Sequence, residues 1–118
     1  MVEVMIHRTN TILYCLRWLP TVRYYRDLLG LPMHHETDWM TEFRLLDKSF
    51  LSIADSKRAT VGHAKGKGIT LSFQIHDLNE VKSQLTAAGI ETSDILAFWG
   101  AQAFYVYDPE GHRIEFWA

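Results

Sequence analysis

The chain has 118 residues, of which 47% are hydrophobic and 22% are charged, and its formal net charge is −2. This length holds one domain, and so small a charge gives no electrostatic reason to expect a nucleic acid or an anionic membrane as partner. Cys15 is the only cysteine, which excludes an internal disulfide and a thiolate metal cluster, and no apolar stretch is long enough to predict a membrane span. A cytoplasmic protein is therefore expected.

The first half of the chain predicts a strand, a helix and three more strands. Strand-forming residues at 11–18 are followed by a helical pattern that has Pro20 in its first turn and Gly30 as its stop. The stretches 33–39, 40–46 and 49–55 then predict strands, with Asp47 and Lys48 as a hairpin turn between the last two.

The second half repeats this order. A strand is predicted at 69–75, a helix at 77–88 closed by Gly89, and strands at 91–96, 101–107 and 112–118, with the turn Asp108-Pro109-Glu110-Gly111 before the last. The repetition predicts an internal duplication, with modules of about 10–56 and 68–118 in a single domain. The segment between them, "SKRATVGHAKGKG", predicts a flexible connector, because its glycine–lysine spacing and the strand that follows do not match a phosphate-binding loop.

The predicted strands have two unlike faces. One face is aliphatic, as with Leu13, Leu51, Leu71 and Ile114, and is expected to carry the helices. The other mixes polar groups with large aromatic rings, which is typical of a surface that binds a ligand or a second subunit. A half-wet sheet face with a few tolerated aromatic residues is the simpler alternative.

Three stretches carry a family resemblance: "ILYCLRWLPTVRYYRDLLGLP", "LSFQIHDLNEVKSQLTAAGI" and "FYVYDPEGHRIEF". They resemble the glyoxalase/bleomycin-resistance/dioxygenase group, also called the vicinal oxygen chelate superfamily. The resemblance implies an α+β fold in which two βαβββ modules form curved mixed sheets around a cavity, and it implies a homodimer.

Enzymes of this family hold a divalent metal through four side chains, typically His and Glu, on the first and last strands of each module. Carried over by resemblance, those places fall at Asn10, Ser52, Thr70 and Glu115, of which only Glu115 matches. Because amide and hydroxyl groups are weak ligands for a transition metal, no metal or other cofactor is expected. An unusual site made of His34, Glu36 and Glu115 stays open, with His34 and Glu36 expected on one strand face.

The side chains expected to line the cavity come from both modules. Glu115 is expected to point inward, as a hydrogen-bond partner or a general base, and Arg113 is a candidate partner for its carboxylate. His7, His63, His76 and His112 are expected at the surface. The candidate ligand-binding residues are Asn10, Tyr14, Trp39, Ser52, Thr70, Gln74, Trp99, Tyr105, Arg113 and Trp117.

Three functions stay open at this point. The residues favour a protein that binds a small planar or hydrophobic molecule without metal, as the metal-free sequestering members of the family do. The alternative is an enzyme of lyase, isomerase or dioxygenase type that uses Glu115 as base or a non-standard metal site. The third is a domain whose cavity is only the core of a dimer.

Overall fold

The structure is a computed structural model that describes residues 1–118, apart from the side chain of residue 98. The chain divides into two compact units, Met1–His63 and Ala64–Ala118. Each unit contains one module, and each is described by itself below.

The first unit is a βαβββ module. Its strands are β1 (Thr9–Cys15), β2 (Met33–Glu36), β3 (Met40–Leu46) and β4 (Ser49–Asp55), and its helix α1 (Trp18–Arg23) continues as a π-helical segment, Tyr24–Leu28. The sheet order is β1-β4-β3-β2, with β1 parallel to β4 and the other neighbours antiparallel.

The first helix begins two residues earlier than predicted. Trp18 is its first residue rather than the end of the preceding strand, and Pro20 still lies in the first turn, where its missing N–H costs no hydrogen bond. The Trp18 indole Nε1 donates to the Ile53 carbonyl at 2.9 Å, which ties the helix to β4. Gly30, at φ +67°, follows the helical segment in a left-handed conformation that suits glycine.

The second unit repeats the arrangement. It comprises β5 (Thr70–Gln74), α2 (Leu78–Ala87), β6 (Leu96–Phe98), β7 (Ala101–Tyr107) and β8 (Arg113–Trp117), in the sheet order β5-β8-β7-β6. β5 is parallel to β8, and the other neighbours are antiparallel. The Asp77 carboxylate caps α2 by accepting from the Glu80 amide at 3.1 Å. The predicted α+β class, with two βαβββ modules and mixed sheets, is therefore confirmed.

The predicted strand at 91–96 is mostly wrong, since regular pairing starts only at Leu96. Ser93 makes other bonds: its carbonyl accepts from Lys82 Nζ at 2.6 Å, and its hydroxyl accepts from the Tyr105 amide at 2.7 Å. The Ser93 amide also donates to the Tyr105 carbonyl at 3.0 Å, so the segment makes one backbone bond to β7, but the serine hydroxyl takes the place of the carbonyl that would continue the ladder.

The turn before β8 is built around a buried carboxylate. Asp108 Oδ1 accepts from the amides of Glu110, Gly111 and His112 at 3.0, 2.9 and 2.9 Å, and Oδ2 lies 2.7 Å from His112 Nδ1. The expectation that His112 is a surface side chain is wrong, because only 5% of the residue is exposed. A carboxylate with this many donors also fixes the backbone path into β8.

The segment predicted as a flexible connector packs, in part, against this turn. A Cβ on Gly66 would lie only 2.4 Å from the carbonyl carbon of Gly111, so the two glycine backbones are in close contact. Residues 64–68 are therefore a fitted part of the second unit, and the prediction of a free connector is wrong there.

Among the described residues, no helix has the length and apolar character needed to cross a membrane. The prediction that Cys15 is a packed core side chain is confirmed, since it is 0% exposed.

Candidate functional site

Six of the predicted site residues share one face of the second sheet. Thr70 pairs with Arg113, Tyr105 pairs with Glu115, and Gln74 pairs with Trp117. Residues that are directly opposite in a ladder point to the same side, and alternate residues along β8 do so as well. We call this surface the second-module face: Thr70, Ser72, Gln74, Tyr105, Tyr107, Arg113, Glu115 and Trp117.

The opposite side of the same sheet is core. Leu71, Phe104, Val106, Ile114 and Phe116 are each at most 8% exposed. On the second-module face, by contrast, Tyr105, Glu115 and Trp117 are half-buried. This face therefore offers aromatic surface and a carboxylate that remain accessible in the unit.

Glu115 and Arg113 have different partners on this face. Ser72 Oγ donates to Glu115 Oε1 at 2.6 Å, while Arg113 Nε donates to Thr70 Oγ1 at 2.9 Å. The Arg113 guanidinium carbon lies 4.7 Å from the centroid of the Tyr105 ring. Among the side chains that the structure describes, Arg113 and Glu115 do not form an ion pair, so the carboxylate is held by a neutral hydroxyl.

In the first unit, two of the metal-ligand places inferred from the resemblance are hydrogen-bonded to each other. Ser52 Oγ donates to Asn10 Oδ1 at 2.9 Å, and Asn10 Nδ2 donates to Glu42 Oε1 at 3.3 Å. Ser52 is fully buried and Asn10 is half-buried. Two of the four places that the family resemblance assigns to metal ligands are therefore in contact with each other.

Glu42 is the centre of this cluster, and it is not among the residues that the sequence predicts for the site. Its Oε1 lies 2.7 Å from Arg8 Nη2, and its Oε2 lies 2.6 Å from His34 Nδ1. Burial alone would raise the pKa of Glu42, but the hydrogen bonds and charges of Arg8 and His34 outweigh burial, so the pKa lies below its ordinary value. Glu42 lies on β3 directly opposite Ser52, a register that only the folded sheet reveals.

The Phe50 ring packs against two side chains of the same cluster. The Arg8 guanidinium carbon lies 3.7 Å from its ring centroid, and the His34 ring centroid lies 4.7 Å away. Phe50 is only 4% exposed, and the Arg44 guanidinium carbon lies 5.5 Å from the same ring centroid, so these three side chains help to cover the ring. We call Arg8, Asn10, His34, Glu42, Phe50 and Ser52 the first-module cluster. Its charged groups are already paired with each other.

The expectation that His34 and Glu36 share a strand face is wrong. Between Met33 and His35 the β2–β3 register shifts, as in a β-bulge, and Glu36 pairs with Thr41 while His34 bonds to Glu42. Thr41 and Glu42 are neighbours on β3 and point to opposite sides, so His34 and Glu36 do as well. Among the described side chains, no group of three or more His, Cys, Asp or Glu residues is placed to hold a metal ion.

The remaining predicted residues lie at the edges of the modules. Tyr14 is half-buried on β1, where it pairs with Ala54, and Trp39 is half-buried just before β3. Trp99 lies in the β6–β7 turn with φ +46° and is 99% exposed. That Asn10 and Tyr14 converge on one space with the second-module face stays a prediction.

The fold and these faces define a class: duplicated βαβββ proteins in which one side of each mixed sheet is core and the other carries polar and aromatic side chains. The sequence model of the Glyoxalase/Bleomycin resistance protein/Dioxygenase superfamily matches residues 20–116. The chain belongs to this superfamily.

Solved structures share the fold at low sequence identity. A lactoylglutathione lyase from Agrobacterium tumefaciens is 23% identical with a TM-score of 0.79, covering 98% of this chain and 95% of that one. A glyoxalase/bleomycin resistance protein/dioxygenase from Nocardioides is 18% identical with a TM-score of 0.82, covering 99% and 85%. A glyoxalase/bleomycin resistance protein from Catenulispora acidiphila is 20% identical with a TM-score of 0.72, covering 93% and 96%. No curated protein that was compared matches the chain.

Proposed function

We propose that this superfamily member binds a small planar or hydrophobic molecule, without metal, on the second-module face. The observation that carries the proposal is the grouping of Tyr105, Glu115 and Trp117 on that face, half-buried and backed by a complete core. Aromatic rings in such a position gain from stacking on a flat ligand, and one carboxylate among them gives the ligand a preferred orientation.

The side chains at the four metal-ligand places do not fit a divalent transition metal. Asn10 and Ser52 are hydrogen-bonded to each other, and Thr70 accepts a bond from Arg113. An amide, two hydroxyls and one carboxylate are a poor donor set for zinc, nickel or iron. The first-module cluster does not improve the set, because the Glu42 carboxylate is already bonded to Arg8 and His34.

Glu115 suggests what the ligand carries. Its partner is the neutral Ser72 hydroxyl, and among the described side chains of this face no ion pair compensates the negative charge. A cationic or hydrogen-bond-donating group on the ligand would compensate that charge, and a flat ring system would lie against Trp117 or Tyr105. We therefore propose a planar ligand with one such group.

The proposal includes a homodimer in the cytoplasm. An apolar N-terminal arm supports a second copy as partner, since five of its side chains are between 71% and 116% exposed: Met1, Val2, Val4, Met5 and Ile6. Single exposed apolar side chains are ordinary, but a run of them favours burial against another surface. Cys15, the only cysteine of the sequence and a buried one, fits a reducing compartment.

The test is a screen of planar aromatic compounds, some with a cationic group, by thermal shift and tryptophan fluorescence. We expect the compounds that raise the melting temperature to quench fluorescence in the wild type and in Trp18→Phe. The quenching should be largely lost in Trp117→Phe, because Trp117 lies on the proposed binding face while Trp18 lies in the first unit. Equal quenching in both variants would place the ligand elsewhere and contradict the proposal.

An enzyme of lyase, isomerase or dioxygenase type is the second candidate, and the 2.6 Å bond between Ser72 Oγ and Glu115 Oε1 favours a lyase or isomerase step. A carboxylate fixed by one hydroxyl and otherwise accessible can remove a proton from a bound substrate. In that case Glu115→Gln would abolish turnover and leave the affinity for a neutral substrate almost unchanged. A binding protein would show no turnover to abolish.

A further inference from the structure

The end of the second-module face that carries Thr70 and Arg113, together with the glycine-rich segment beside it, has the chemistry of an anion site. An open cleft of about 430 Å³ lies between the glycine-rich segment that precedes β5 and the start of β8, and its lining includes Gly66, Lys67, Gly68, Thr70 and Arg113. We propose that this cleft binds an oxyanion, a phosphate or carboxylate group, between Lys67 and Arg113. The inference goes beyond the proposed function, and it can be tested with inorganic anions alone.

The first observation that supports an anion site is the charge of the cleft. Its described lining contains two cationic side chains, Lys67 and Arg113, and no carboxylate. Arg113 uses Nε to bond Thr70 Oγ1, while neither its terminal amino groups nor the Lys67 ammonium have a hydrogen-bond partner among the described side chains. Two cations on one cleft attract an anion, and a guanidinium is suited to bind two oxygens of a phosphate or carboxylate at once.

The second observation is that packed backbone forms a fixed wall of the cleft. Gly66 is buried, and a Cβ on it would overlap the backbone of Gly111 at 2.4 Å, so the segment is fitted onto the turn. The Lys67 amide donates to the Ala64 carbonyl at 3.1 Å, which closes a turn at the same place. Lys67 thus projects from a held backbone, which lowers the entropy lost on binding.

The third observation concerns the Thr70 hydroxyl and the accessible main chain at Gly68. The Thr70 hydroxyl holds the Arg113 side chain through its Nε, which fixes the direction of the guanidinium. Gly68, at φ +82°, would meet nothing within 4 Å if it carried a Cβ, so a ligand can approach the main chain there. None of the three carboxylates nearest to Arg113 in sequence is part of the lining: Asp108 is bonded inside its turn, Glu110 is buried, and Glu115 accepts from Ser72.

This arrangement differs from a nucleotide-binding phosphate loop. A strand, rather than a helix, follows the glycines, so there is no helix N-terminus to receive a phosphate. The binding energy would come from the two cationic side chains. The site therefore suits a single oxyanion group, such as the charged end of a small molecule.

The experiment is an NMR titration of the full chain with inorganic phosphate and, separately, with acetate, at constant ionic strength. We expect saturable shifts of the backbone amides near 66–70 and 111–113. Lys67→Gln and Arg113→Gln should each weaken binding at least fivefold, while Lys57→Gln, an exposed lysine in the other unit, should leave it unchanged. Tighter binding of phosphate than of acetate, or the reverse, would identify which oxyanion the cleft prefers.

Three results would overturn the proposal: no saturation with either anion, shifts scattered over both units, or unchanged affinity in Lys67→Gln. Circular dichroism checks the fold of each variant. If Arg113→Gln unfolds because the bond to Thr70 is lost, Lys67→Gln alone decides, since the Lys67 side chain has no hydrogen bond with the described residues that folding would lose.

Discussion

The contact between Gly66 and Gly111 predicts a large effect for a single methyl group. In Gly66→Ala the new Cβ would lie 2.4 Å from the Gly111 carbonyl carbon and 2.6 Å from the His112 nitrogen. Carbon atoms in contact prefer about 3.5–4.0 Å, so the overlap exceeds 1 Å and involves backbone atoms, which cannot rotate away. Overpacking of this kind costs about 1–3 kcal/mol.

Gly68→Ala is the matched control. Both glycines have positive φ, +77° at Gly66 and +82° at Gly68, but a Cβ at Gly68 would meet nothing within 4 Å. The left-handed conformation alone costs a residue with a Cβ about 1–2 kcal/mol. Gly68→Ala should therefore lower the free energy of unfolding by about 1–2 kcal/mol, and Gly66→Ala by about 2–5 kcal/mol.

Urea unfolding followed by circular dichroism measures both values, and the shift of the melting temperature, about 4 °C per kcal/mol for a domain of this size, gives a second estimate. Equal destabilisation by the two substitutions would refute the close packing of the segment on the turn. It would also remove the fixed wall from the proposed anion cleft.

Two further predictions concern buried carboxylates. Because the folded-state pKa of Glu42 is lowered by Arg8 and His34, its contribution to stability is present above pH of about 4.5 and is lost as pH falls through the folded pKa. In acid titrations of unfolding, Glu42→Gln should therefore be less stable than wild type at neutral pH and should lose less stability on acidification; parallel curves would contradict the pairing. Asp108→Asn should cost about 2–4 kcal/mol by urea unfolding, because the carboxylate accepts three backbone amides, whereas the exposed Asp94→Asn should stay within about 0.5 kcal/mol. Equal stability of these two variants would show that the turn does not depend on its carboxylate.

The fold and the second-module face were predictable because each depends on local alternation. Gly30 and Gly89 end the two helical patterns, and "HRIEFWA" alternates without interruption, so Arg113, Glu115 and Trp117 necessarily share a side once β8 forms. The pairing with β5 and β7 then only adds neighbours to a face that was already defined.

The first-module cluster was not predictable in the same way. The β-bulge at His34 and His35 reverses the face of the residues that follow, and a bulge is set by pairing with a distant strand. Arg8 precedes every predicted element, so nothing local indicated that it pairs with Glu42, which lies 34 positions away along the chain. The packing of Gly66 on Gly111 is equally long-range, and the composition of its segment suggested a flexible connector instead.

The central claim is that Glu115 is a ligand-binding carboxylate, and calorimetric titration of Glu115→Gln tests it most directly. The titrant is the tightest cationic planar compound from the screen, and Glu91→Gln, an exposed carboxylate of the same unit, is the control. We predict that Glu115→Gln weakens this compound about tenfold, which is about 1.4 kcal/mol, while its free energy of unfolding changes by less than about 1 kcal/mol and Glu91→Gln changes neither. Marked destabilisation by Glu115→Gln with unchanged affinity would show that Glu115 is a structural group and would contradict the account.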